Sequence, residues 1–138
     1  MDENLKKRLL SSKENADRAI AGILEEKEIS PLTIYRHLKS YVMYKFFFTE
    51  DEMTTDDFTE LTEQSIAKAS KMDPAMLKEL IRAQKCTSAS SVAIKKVLFY
   101  MDIQKQLGIR FDPEKTGAVE TLGDIADLIY EKIKVQMI

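Results

Sequence analysis

Residues that interrupt helices are scarce in this sequence. It has four glycines and three prolines among 138 residues, so we expect long helices with few sharp turns. No stretch alternates apolar and polar residues over a useful length, so no strand is expected. With 44 % apolar and 32 % charged residues, the chain fits a globular protein. These features predict an all-α protein with about six helices.

Cysteine is almost absent, and so are long apolar runs. Cys86 is the only cysteine, so no intrachain disulfide can form and a reducing compartment is the simplest location. The N-terminus lacks the apolar core of a signal peptide, and the longest apolar run, Val97–Met101, is far too short to cross a bilayer. We therefore expect a cytoplasmic protein with no membrane partner.

Recognisable catalytic and metal-binding patterns are also missing. The net charge of −2 gives no general attraction to nucleic acid, and no zinc spacing, calcium loop or phosphate-binding glycine loop occurs. His37 is the only histidine and lies on a predicted helix, where a structural role is the commoner one. A lone cysteine such as Cys86 is most often inert. We expect no enzyme, no metal site and no catalytic residue; the alternative is a small enzyme that uses Cys86 or His37.

Apolar periodicity predicts a pair of helices in the first 50 residues. The first runs from about Glu3 to Lys27, and Ser30 with Pro31 caps and opens the second. One face of the second helix consists of Ile34, Leu38, Tyr41, Val42 and Lys45.

The middle of the chain predicts two further helices. Thr54 or Thr55 is expected to cap a third helix that begins near Phe58 and continues to Met72. Asp73 and Pro74 then begin a short fourth helix whose apolar residues are Met76, Leu77, Leu80 and Ile81. A small polar linker, CTSASS, follows.

From Val92 the pattern is helical again. The predicted core face consists of Ile94, Val97, Leu98, Met101 and Leu107, with Phe99, Tyr100 and Ile103 on an adjacent face. Gly108 can adopt the left-handed conformation that ends a helix. Ile109 and Phe111 are expected to fold back onto the core, and Thr121 to cap a last helix with Asp124 in its first turn.

The segment from Val92 to Lys134 resembles acyl and peptidyl carrier proteins from their second helix onward. The resemblance lies in the corner Leu107-Gly108-Ile109 and in Thr121-Leu122-Gly123-Asp124-Ile125, which opens the last helix. It covers about 43 residues well, and a first helix at Phe58–Met72 would extend it by position alone. The resemblance implies a carrier-like bundle over residues 51–138, with residues 1–50 as an added N-terminal helical pair, or one compact domain overall.

The functional surface departs from the family pattern. Carriers attach 4'-phosphopantetheine to a serine at the start of the second helix, and the alignment places Ala93 at that position and Val92 at the preceding aspartate. A methyl group has no oxygen that could form the phosphodiester. The second helix is acidic in carriers, whereas here it has Lys95, Lys96 and Lys105 against Asp102. We therefore expect the usual partners to be rejected.

Our leading hypothesis is a degenerate carrier without a cofactor that acts by binding a protein partner through Val92, Lys95 and Lys96. The alternative is a working carrier with 4'-phosphopantetheine on a serine just upstream. Among Ser88, Ser90 and Ser91, the last is the best candidate because it lies at the expected helix start, although a capping role there is the commoner one.

An aromatic group in the second helix leaves one further question open. Core packing is the interpretation that we favour, and the alternatives are an acyl or partner groove or an exposed patch that would form a homodimer. Its members are Tyr35, Tyr41, Tyr44, Phe46, Phe47 and Phe48.

Overall fold

A computed structural model describes residues 3–46, 48–70 and 92–136, and it confirms the all-α class. No strand occurs within these ranges. The α-helices are α1 (Glu3–Glu25), α2 (Pro31–Lys45), α3 (Phe58–Ser70), α4 (Val92–Leu107), α5 (Pro113–Gly117) and α6 (Leu122–Gln136), with a 3₁₀ turn at Glu50–Glu52. The predicted helix containing Met76–Ile81 lies outside the described residues.

The N-terminal helical pair forms as its sequence predicts. Ser30 caps α2 in a reciprocal box, since the Thr33 backbone N–H donates to Ser30 Oγ at 3.2 Å and the Ser30 N–H donates to Thr33 Oγ1 at 3.0 Å. Pro31 occupies the first turn, where its missing N–H costs nothing. The predicted face of α2 is confirmed, because all five of its residues are buried: Ile34, Leu38, Tyr41, Val42 and Lys45.

The starts of α3 and α6 are tied to each other. The Phe58 N–H donates to the Glu120 carbonyl at 2.9 Å, and the Leu122 N–H donates to the Asp56 carbonyl at 3.0 Å. Asp57 caps α3 by accepting from the Glu60 N–H at 2.8 Å. The predicted cap at Thr54 or Thr55 is therefore wrong: the side chain of Asp57, one residue before the helix, reaches the free N–H of its first turn.

The predicted cap of α6 is confirmed. The Asp124 N–H donates to Thr121 Oγ1 at 3.2 Å, while the Glu120 and Thr121 N–H groups donate to Asp124 Oδ2 at 3.0 and 3.1 Å. These two backbone donors, Glu120 first, hold the pKa of the Asp124 carboxyl below its usual value of 3.8.

The corner after α4 also forms as predicted. Gly108 has φ +66°, and its N–H and that of Ile109 both donate to the Gln104 carbonyl. Ile109 and Phe111 are 5 % and 7 % exposed, so both fold back onto the core. The Gln104 side chain accepts from the Phe111 N–H at 2.8 Å and fixes the path of the chain beyond the corner.

One hydrophobic cluster joins the N-terminal pair to the later helices. Phe99 lies at its centre, with its ring centroid 4.8 Å from that of Phe58, 5.5 Å from Tyr41 and 5.9 Å from Phe46. α1 packs on α2 and α4, α2 packs on α6, and α3 packs on α4. Residues 1–50 therefore share a core with the later helices, and the boundary at residue 50 stays a prediction.

The predicted core role of the aromatic group in and after α2 is confirmed where the structure describes it. Tyr41, Phe46 and Phe48 are buried, and Tyr35 and Tyr44 pack partly buried against the same cluster. Phe47 lies outside the described residues. No helix among the described residues is long and apolar enough to cross a membrane.

Replacing Gly108 with alanine tests the corner. A Cβ at Gly108 meets no atom of the described residues within 4 Å, so the cost comes from the positive φ, and we expect the free energy of unfolding to fall by about 1–2 kcal/mol. Gly117→Ala is the matched control, since its Cβ also enters open space without a positive φ. Urea unfolding should show no loss there, and equal losses at both positions would contradict the assignment.

Replacing Asp124 with asparagine tests the cap of α6. Because the folded-state pKa is depressed, the carboxylate stabilises the fold above its usual pKa and loses that effect as the pH falls through the folded value. At neutral pH we expect a loss of about 1 kcal/mol. The difference from wild type should shrink below pH 3.8.

The control for this experiment is Asp127→Asn, an exposed carboxyl on the same helix. We expect it to change the free energy of unfolding by less than about 0.5 kcal/mol at every pH. A pH-independent loss in Asp124→Asn, measured by urea unfolding across the acid range, would count against the role of the charge.

Candidate interaction face on the fourth helix

The side of α4 that faces the core differs from the predicted one. Its buried residues are Lys95, Phe99, Ile103 and Leu107, one helical turn apart along a single stripe. Of the predicted core residues, Ile94, Val97 and Met101 are instead 55 %, 54 % and 56 % exposed. The prediction was wrong because both sides of this helix carry apolar residues. The buried side begins with Lys95, so it looks less apolar in the sequence than the exposed side.

Lys95 lies inside the protein, not on its surface. Its exposed fraction is 0 %, and its Nζ lies 4.8 Å from the centroid of the Phe46 ring, a cation–π contact. The four-carbon stem of a lysine packs well among apolar groups. The prediction of Lys95 as a surface contact for a partner is therefore corrected.

Lys96 and Val92 are each partly buried. The Lys96 ammonium donates to Thr59 Oγ1 and lies 5.4 Å from the centroid of the Phe58 ring, so it ties α4 to α3. A basic patch built from Lys95 and Lys96 is thus not presented to solvent. Partner binding by Val92 and Lys96 stays a prediction.

The outward surface of α4 is instead apolar. We call Ala93, Ile94, Val97 and Met101, together with Lys105 at their C-terminal end, the α4 face; all are exposed. Ala93, which aligns with the attachment serine of carriers, belongs to this face. Leu98 lies partly buried along its edge. The face therefore presents a continuous row of apolar side chains that ends in one cation.

A cavity of about 430 Å³ runs beside the α4 face toward α1. Leu98 and Met101 form its apolar wall. Its remaining lining is charged and comes from three helices: Lys13, Asp17, Lys45, Asp102 and Lys105. The cavity thus joins the apolar row to a polar floor.

That floor is a polar network centred on Asp102. The carboxylate accepts from the Tyr41 hydroxyl and from Gln106 Nε2 at 2.8 Å, and it pairs with Lys45 Nζ at 3.7 Å. Gln106 Nε2 also donates to Asp17 at 3.2 Å. Because Lys45 is 4 % exposed, its charge requires such compensation. The network links α1, α2 and α4 and leaves Asp102 well satisfied.

Sequence reasoning did not find this network, although one signal for it was present. Lys45 falls on the predicted apolar face of α2, and a lysine there requires a carboxylate from another element. Asp102 lies 57 positions along the chain, so its choice as partner could be read only from the packing.

The only histidine of the sequence, His37, lies between α1 and α2. His37 is partly buried, and its Nε2 lies 2.8 Å from Glu26 Oε1. α1 and α2 approach so closely here that a Cβ added at Gly22 would lie 2.8 Å from His37 Cε1. The histidine thus fits the close contact between α1 and α2, as its predicted structural role implies.

The described residues contain no group of three or more side chains suited to a metal. Cys86 and the three candidate serines, Ser88, Ser90 and Ser91, lie outside the described residues.

Two further features involve tyrosines. A cavity of about 480 Å³ between α2 and the 3₁₀ turn is lined in part by Tyr35. The Tyr35 hydroxyl donates to Asp56 at 2.6 Å, and this contact raises the pKa of Tyr35 to about 12. The Tyr100 hydroxyl is buried and has no hydrogen-bond partner among the described residues, and this burial, with the charge of Asp124, raises the pKa of Tyr100. Both phenols are therefore neutral at physiological pH.

Comparisons with known proteins found no match. No protein-family model matches the chain, and it matches neither a curated protein nor a solved structure. The resemblance to carrier proteins therefore depends on the corner and on the cap of α6.

A matched pair of alanine substitutions tests which side of α4 faces the core. Ile103→Ala removes a fully buried side chain and should lower the free energy of unfolding by about 2–5 kcal/mol. Met101→Ala, at an exposed position, should change it by less than about 0.5 kcal/mol. Urea unfolding of both variants measures this, and the reverse order would restore the face predicted from the sequence.

Proposed function

We propose that this protein is a non-catalytic, carrier-like helical protein that binds a protein partner through the α4 face. The observation that carries the proposal is the exposure of Ile94, Val97 and Met101, each more than half accessible, side by side on one helix. Single exposed apolar residues are ordinary, but an exposed row with a cavity beside it is typical of an interaction surface.

The position of this row supports the proposal. In the carrier proteins that this chain resembles, the attachment serine opens the second helix, and Ala93 stands at the matching position here, next to Ile94. A prosthetic group has no oxygen to which it could be attached at that site. The helix start is then left with a methyl group and an apolar neighbour, a surface suited to contact rather than to chemistry.

The packing of α4 supports a rigid contact surface. Phe99 and Ile103, on the opposite side of the helix, are fully buried, and the Asp102 network ties the helix to α1 and α2. A preorganised helix loses little conformational freedom on binding. The proposed contact residues are Ile94, Val97 and Met101 in place of Lys95.

The test places a photo-crosslinking amino acid at Val97 in the full-length protein, in the cells that produce it. We expect a discrete protein adduct that is lost when Met101→Asp is added, because a buried carboxylate would oppose an apolar contact. The control site is Glu114, an exposed residue of α5, which should give no adduct.

Two outcomes would sink the proposal. One is an absence of adducts, or equal adducts at Val97 and Glu114. The other is an intact-mass gain of one phosphopantetheine group after co-expression with a broad-specificity phosphopantetheinyl transferase, if Ser91→Ala abolishes the gain. That result would establish a working carrier.

A further inference from the structure

The spacing of the apolar residues on the α4 face and at its edge matches one kind of partner. Ile94, Val97, Leu98 and Met101 stand at positions i, i+3, i+4 and i+7 of a 16-residue helix. They form a ridge that extends about 10 Å along the helix axis. Ridges of this spacing interdigitate with the side chains of another helix, as when an amphipathic helix binds in a groove.

The neighbouring cavity provides a place for an anchoring side chain. Leu98 and Met101 belong both to the ridge and to the wall of the cavity of about 430 Å³ between α1 and α4. A helix lying along the ridge would therefore direct one large apolar side chain into this space. Such an anchor in a pocket commonly supplies much of the binding energy of an interface.

The charges beside the ridge do not cancel, and the excess charge is positive. Lys105 lies one turn beyond Met101, is exposed, and forms no ion pair with any described residue. The two carboxylates of the cavity already have partners: Asp102 has Lys45, Tyr41 and Gln106, and Asp17 has Lys13 at 3.3 Å. The charge left for a partner to neutralise is therefore positive.

We propose that the partner segment is an amphipathic α-helix whose apolar stripe lies on Ile94–Met101 and whose acidic side chain pairs with Lys105. This inference rests on the proposed function and names the chemistry of the partner. A second copy of the chain fits less well, because the α4 face contains no carboxylate that could pair with Lys105.

The experiment selects helical peptides displayed on phage against the immobilised full-length protein. The library fixes leucine at i, i+3, i+4 and i+7 and randomises the flanking positions among glutamate, lysine and serine. We expect glutamate to be enriched at a position one turn beyond the stripe. Lys105→Glu should reverse that preference toward lysine, and a selected acidic peptide should bind this variant about three- to tenfold more weakly.

Two variants serve as controls. Lys115→Glu makes the same charge reversal on α5 and should leave the selected sequences unchanged. Met101→Asp should abolish enrichment altogether, with Val97→Asp as a second variant. Because Lys105, Met101 and Val97 are all exposed, thermal unfolding by circular dichroism should remain close to that of wild type.

The inference is overturned if enriched peptides show no charge preference, if Lys105→Glu leaves the preference unaltered, or if no enrichment depends on Met101. It is also overturned if sedimentation shows a dimer that Met101→Asp dissociates, since the face would then bind a second copy. If Val97 adducts form in cells but the peptide selection shows no acidic preference, the proposed function still holds and only this inference fails.

Discussion

The insertion of Phe99 between α2 and α3 is the contact on which the rest of the structure depends. Its ring contacts those of Tyr41, Phe46 and Phe58, with centroids 4.8 to 5.9 Å apart. Aromatic clusters of this kind bury large apolar areas in tilted geometries that fix orientation. Because Phe99 sets the rotation of α4, it also decides that Ile94, Val97 and Met101 face outward.

Two buried lysines reinforce that rotation. Lys45 is held by the Asp102 network, and the Lys95 ammonium lies over the Phe46 ring. A buried charge that loses its partner is strongly destabilising, so any rotation of α4 that moved Asp102 or Lys95 would be opposed. The apolar ridge is thus held outward by interactions on the opposite side of the same helix, which is what a rigid contact surface requires.

The N-terminal pair contributes to this surface as well as to the core. α1 supplies Lys13 and Asp17 to the cavity beside the ridge, and α2 supplies the buried Lys45 beneath it. Residues 1–50 therefore help to form the cavity beside the proposed contact surface.

The sequence by itself determined the helical class, the cap at Ser30, the corner at Gly108 and the cap at Thr121, because each depends on residues within a few positions of one another. It did not determine which side of α4 is buried, since both sides carry apolar residues and the buried one includes a lysine. Only the tertiary structure decided that, through Phe99 and through a carboxylate 57 positions from Lys45. The candidate site moved accordingly, from the lysines at 95 and 96 to the apolar ridge.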